Sequence, residues 1–98
     1  MRATSIALPT ELAPIAPNPS ALPLQLGYTL SRAGRVRIAL FDVQGRQVAV
    51  LEQGERAGGR HRNAWAGGDL RGGLPAGVYI VQLSAADRTV HRRVAVVR

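Results

Sequence analysis

An all-β fold, an immunoglobulin-like antiparallel β-sandwich of six or seven strands, is predicted by three features of the sequence. Apolar residues alternate with polar ones over short runs, turn signals recur about every 8 to 12 residues, and no segment carries a helical period. The 98 residues suffice for one domain with one core. Apolar residues make up 46% of the chain and charged residues 19%, a globular balance far from that of disordered segments. A chain of this size buries only about 60–65% of its unfolded surface, which leaves little depth for an enclosed active site.

Five of the six prolines, Pro9, Pro14, Pro17, Pro19 and Pro23, precede Tyr28. Each removes a backbone donor and biases the residue before it towards extended geometry. Residues 1–23 are therefore expected to form an extended N-terminal segment or linker. Arg2 to Leu8 alternates enough for an edge strand, and Leu12 to Pro23 should run over the surface or act as a tether. The sandwich domain is assigned to residues 24–98. Its first strand carries Leu24, Leu26, Tyr28 and Leu30 on one face, and Ser31 to Gly34 supplies a turn. Val36, Ile38 and Leu40 repeat the two-residue period over Arg35 to Phe41, so the pair reads as the first hairpin.

In Asp42-Val43-Gln44-Gly45, an Asp able to bond the backbone two residues on precedes a Gly able to adopt positive φ, the chemistry of a type I turn with a glycine bulge. The chain reverses there into Gln47 to Gln53, and Gly54 to Gly59 reads as a second loop. Arg60 to Ala66 sets His61, Asn63 and Trp65 on one face, with Trp65 the expected anchor of the core. The glycine-rich connection from Gly67 to Gly77 leads into Val78 to Ala85, where Tyr79, Val81 and Leu83 share a face. Ala86-Asp87-Arg88 then turns the chain into a last strand, Thr89 to Arg98.

The composition excludes several function classes. With no cysteine there is no disulfide, thiolate metal site or thiol nucleophile. His61 and His91 lie far apart, no local pattern surrounds any serine as in a nucleophile elbow, and Gly67 to Gly77 lacks the Lys-Ser/Thr end of a P-loop. No catalytic, metal or cofactor site is expected. No apolar run reaches the roughly 18 residues of a bilayer span, and no basic start with an apolar block opens the chain, so the expectation is either that the chain stays inside or that an export signal belongs to a longer parent.

Thirteen basic residues, all arginine, against six acidic ones give a net charge of +7. Such a charge suits an anionic partner, and Arg35, Arg37, Arg60 and Arg62 are expected to line adjacent wet faces of a sheet. Replacement of every lysine by arginine is equally the footprint of GC-rich coding. Nucleic acid is disfavoured, because the four aromatic residues Tyr28, Phe41, Trp65 and Tyr79 mostly fall on core faces and leave no stacking platform.

From Pro17 to Arg98 the order of motifs resembles the type A C-terminal sorting domains of the type IX secretion system. The resemblance rests on Pro17-Asn18-Pro19, Tyr28-Thr29-Leu30, Gly34-Arg35-Val36, Leu40 to Val48, Ala57 to His61, Trp65, Gly72 and Pro75-Ala76-Gly77-Val78-Tyr79. Such domains are similar in turn to the immunoglobulin-like domain of the flagellar hook-capping protein. The chain departs from the family in two places: Ser20, Ala21 and Leu22 stand where an aromatic usually follows the Pro-Asn-Pro, and Ala66 replaces the acidic residue common after the tryptophan.

The resemblance implies a non-catalytic, seven-stranded module at the end of a larger protein, at the bacterial cell surface or in the periplasm and outer membrane. Its implied partners are secretion or envelope-assembly components, with anionic surface polysaccharide as a further candidate. Recognition is expected at the terminal strand, through Arg92, Arg93, Val94, Val96, Val97 and Arg98, whose edge would offer backbone hydrogen bonds and a basic rim. A structural subunit of an envelope complex and a basic binder of nucleic acid or anionic polymer are the alternatives. Asp42, Gly45, Arg46, Trp65, Gly77 and Tyr79 are read as residues of the fold: an Asp42–Arg46 pair across the turn, glycines where a Cβ would clash, and a tyrosine tying its strand to a neighbouring loop.

Overall fold

The structure, a computed structural model, describes residues 8–67 and 73–97. Seven strands follow in order: β1 (Glu11–Leu12), β2 (Leu24–Leu30), β3 (Gly34–Asp42), β4 (Gln47–Arg56), β5 (Gly59–Trp65), β6 (Gly77–Ser84) and β7 (Thr89–Val96). They form two antiparallel sheets, β1-β2-β5 and β4-β3-β6-β7, packed face to face as a sandwich. The strand expected over Arg2 to Leu8 lies outside the described residues except for Leu8, which is not in a strand.

Alternation decides which face of each strand is buried. Leu24, Leu26, Tyr28 and Leu30 of β2 meet Val36, Ile38 and Leu40 of β3, and Tyr79, Val81 and Leu83 of β6, across one core. Trp65 is buried at the end of β5, as its place in the sequence implies.

The partners differ from the sequence reading at one joint. β2 and β3 do not form a hairpin: β2 pairs with β5, and β3 pairs with β4 and β6. Both strands turn an apolar face inward, so placing them in opposite layers lets those faces bury each other, and Ser31 to Ala33 carries the chain between layers. The hairpin expected at Asp42 to Gly45 does form, between β3 and β4.

The loop expected over Gly54 to Gly59 shrinks to Ala57 and Gly58, because β4 continues through Gly54 to Arg56. Gly54 lies 2.9 Å, measured from its Cβ position, beside the Arg56 guanidinium, so a bare backbone there makes room for that side chain.

Residues 10–20 are part of the sandwich and no tether. Thr10, Leu12, Ile15 and Ser20 are all buried, and the Ala13 amide donates to the Gly27 carbonyl at 2.8 Å. After Pro14 the segment leaves β2 and crosses to the other sheet, where Ser20 bridges Val96 in parallel. The prolines that forbid a helix also limit ladder pairing, and the crossing is held mainly by burial of Leu12 and Ile15 and by side-chain bonds.

Candidate functional site

The terminal strand is half core and half covered edge. Val94 and Val96 are 0% and 2% exposed, so they fill the interior and offer no contact surface to a receptor. This corrects the reading of both as recognition residues: they face inward in register with Tyr79 and Gly77 of β6. The outer edge of the same strand is taken by the chain's own N-terminal segment. Asn18 Oδ1 accepts the Ala95 amide at 3.0 Å and Asn18 Nδ2 donates to the Arg93 carbonyl at 3.4 Å. The Ser20 amide donates to the Ala95 carbonyl and the Val97 amide to the Ser20 carbonyl, both at 2.8 Å.

Arg92 points the other way, its Nε donating to the Leu12 carbonyl at 2.7 Å, which ties β7 to β1. Of the six terminal residues, Arg92, Arg93 and Val97 are exposed, Arg92 with its guanidinium held on the Leu12 carbonyl, and Arg98 lies outside the described residues.

The Asp42–Arg46 pair expected across the turn forms. Asp42 Oδ1 accepts the amides of Gln44 at 2.9 Å and Arg46 at 3.0 Å, while its Oδ2 takes the Arg46 Nε at 3.0 Å. These bonds, led by the Arg46 amide, hold the Asp42 carboxyl below its usual range. Gly45 has φ +88° with nothing within 4 Å of its Cβ position, so backbone conformation and not crowding excludes other residues there. A Cβ at Gly77 likewise meets only ordinary contact, 3.9 Å from Tyr79, so the expected clash is absent at both glycines. Crowding occurs instead at Gly58, whose Cβ would lie 3.1 Å from the Arg32 Cα, where two connections between the layers touch. Tyr79 is a tyrosine corner: its hydroxyl donates to the Pro75 carbonyl, four residues upstream, at 2.6 Å.

At the same end as the Gly58 contact, the chain is latched by a hydroxyl cluster. The Thr10 hydroxyl lies 3.0 Å from both Asp87 oxygens, Ser31 Oγ donates to Asp87 at 2.8 Å, and the Ser31 amide donates to Thr10 Oγ1 at 3.0 Å. Ser31 and then Thr10 hold the Asp87 carboxyl below its usual range. The cluster fastens three segments together, the N-terminal segment, the β2–β3 connection and the β6–β7 turn.

On the far side of the sandwich the edges of β4 and β5 lie over each other. The seam between them is polar: the Tyr28 hydroxyl donates to Glu52, Arg56 Nε donates to the same Glu52 oxygen at 2.8 Å, and Asn63 Nδ2 reaches the Leu51 carbonyl at 3.4 Å. Tyr28 also stacks on His61 with ring centroids 5.0 Å apart. Burial, and then the Glu52 carboxylate, push the Tyr28 phenol well above the usual tyrosine range. Nothing local in the sequence marks this seam: Gly54 to Gly59 reads as a loop that takes in Arg56, and no motif surrounds Glu52.

The two edges differ. Opposite β3, the register of β4 slips at Ile38/Ala39 and at Leu40/Phe41, which leaves Leu51 and Val48 as extra residues and bends the strand. β5 pairs with β2 without a slip from Gly59 to Trp65.

The four arginines expected on adjacent faces are separated, Arg35 and Arg37 on β3 in one sheet and Arg60 and Arg62 on β5 in the other. The reason is the broken hairpin: strands that cross between layers turn their wet faces to opposite sides. Arg37 is bonded to Gln47 at 2.6 Å. Arg60 and Arg62 border an open depression of about 430 Å³ on the outside of their sheet, floored by Gly27 and Ala13 with Glu11 beyond.

Among the described residues no group of His, Asp and Glu could hold a metal ion, and no helix is long and apolar enough to cross a membrane. Compared with protein families, curated proteins and solved structures, the chain matches none of them.

Proposed function

We propose that the chain is a non-catalytic sorting domain of the type IX secretion class, recognised as a folded unit by outer-membrane secretion machinery through protein–protein contacts. It would travel to the cell surface with a parent protein. The observation that carries this reading is the bonding of Asn18 and Ser20 to Arg93, Ala95 and Val97. Pro17-Asn18-Pro19 and the terminal strand are the two ends of the resemblance, and they form one parallel clasp. A receptor that reads the terminus would then read a folded element, with the exposed Arg93 and Val97 side chains on it.

Service as an assembly module of an envelope complex is the second reading, supported by the regular edge of β5. The wide basic face needed by a nucleic-acid or anionic-polymer binder is divided between the two sheets, so that reading is not carried forward.

Fusing residues 8–98 to a periplasmic reporter, in a host that has this secretion system, tests the proposal. Surface delivery of the reporter, lost on Asn18→Ala while the domain still folds, is the expected result. Retention of the unaltered fusion in the periplasm would overturn it.

A further inference from the structure

We propose that the outer edge of β5 is a docking site for an extended protein segment that carries acidic residues at alternate positions, added to the sheet as a further strand. The inference is independent of the sorting role and stands on geometry and charge.

Three of the four sheet edges are compromised for such pairing. The β7 edge is clasped by Asn18 and Ser20, β1 is only two residues long, and β4 is bent at Leu51 and Val48. β5 offers seven residues in continuous register, and among the described residues β2 is its only backbone partner. Unpaired strand edges recognise extended chains through backbone hydrogen bonds, while side chains on one face set specificity.

That face is cationic. Arg60 and Arg62 are both exposed on the outer face of β5, in register with Thr29 and Gly27, and neither makes an ion pair or side-chain hydrogen bond among the described residues. Side chains directly opposite on paired strands stand about 5 Å apart at Cβ, so carboxylates at positions i and i+2 of an added strand would meet the two guanidinium groups. The same rule disfavours a second copy of this chain. A two-fold axis on this edge would gather the Arg60 and Arg62 pairs of both copies on one face, and like charges opposite each other repel.

Calorimetric titration of the purified chain with a short synthetic peptide alternating glutamate with valine tests the proposal. Saturable binding is expected, weakening as salt is raised and vanishing when alternate peptide nitrogens are methylated, since methylation removes strand donors without altering charge. Arg60→Ser/Arg62→Ser should weaken it about tenfold, equivalent to about 1.4 kcal/mol, with circular dichroism unchanged because both side chains are exposed. Equal binding of a lysine–valine peptide, undiminished binding of the methylated peptide, or no binding at all would each overturn the site. So would a dimer in sedimentation that strengthens in the double variant, which would give the edge to a second copy. Purified protein and peptide suffice for this measurement, so its failure is distinct from a failure of surface delivery.

Discussion

Asn18 takes the place of a backbone partner for Ala95, its amide oxygen accepting the Ala95 N–H at 3.0 Å while its nitrogen reaches the Arg93 carbonyl. One side chain thus does what a neighbouring strand would do, between two prolines that cannot donate. Asn18→Ala should destabilise the domain by about 1 kcal/mol. Amide exchange at Ala95 should accelerate well beyond that of Val94 and Val96, whose amides point to β6; uniform acceleration along β7 would contradict the local clasp.

Tyr79→Phe removes one hydroxyl from a buried corner and strands the Pro75 carbonyl it satisfies. The cost should be about 1 kcal/mol in denaturant unfolding, with the ring still packed in the core. An unchanged midpoint would mean that water replaces the hydroxyl without loss.

Gly45 and Gly58 should respond differently to alanine. At Gly45 the cost comes from a φ of +88° and should be about 1 kcal/mol, with Asn tolerated better because its short polar side chain accepts the left-handed region. At Gly58 the new methyl meets Arg32 backbone at 3.1 Å, so alanine and asparagine should both be disruptive. Comparing the two glycine-to-asparagine variants by thermal melting separates conformational strain from crowding.

Much of this architecture is legible in the sequence. A two-residue period assigns Val36, Ile38 and Leu40, or Tyr79, Val81 and Leu83, to one face before any partner is known, and Asp42 with Gly45 specifies its turn locally. Periodicity is silent about which sheet a strand joins. That is why β2 and β3 read as a hairpin in the sequence, and why Arg35 and Arg37 read as neighbours of Arg60 and Arg62. Asn18 and Ser20 were hidden for another reason: their bonds reach residues more than seventy positions away, and no local pattern announces such a partner. The β4–β5 seam was obscured by Gly54, which punctuates a loop in most sequences but here accommodates the Arg56 side chain.

Acid should loosen the turns before it opens the core. Asp42 and Asp87 both have carboxyls held below the ordinary value of 3.8, by bonds led by the Arg46 amide and by Ser31 respectively. A depressed folded-state value means that the stabilisation is present above the unfolded value and is lost as pH falls through the folded one. Stability should therefore decline below about pH 4, and Asp42→Asn with Asp87→Asn should flatten that decline, as read by denaturant midpoints across an acid series.

The polar seam makes the opposite prediction in alkali. Tyr28 donates to Glu52 inside the sandwich, and its phenol is held above its ordinary value of 10.0, first by burial and then by that carboxylate. A raised folded-state value leaves stability intact below the unfolded value and removes it as pH climbs towards the folded one. Unfolding should thus begin above about pH 10, with tyrosinate absorbance from Tyr28 rising together with loss of β-structure. Glu52 also accepts Arg56, so Glu52→Leu leaves two donors without their acceptor and should cost about 1–3 kcal/mol at neutral pH, more than Glu52→Gln, which keeps a carbonyl oxygen for Tyr28. If Glu52→Leu proves as stable as the native chain, apolar packing alone would hold the β4–β5 side closed, and the seam would carry no weight in the fold.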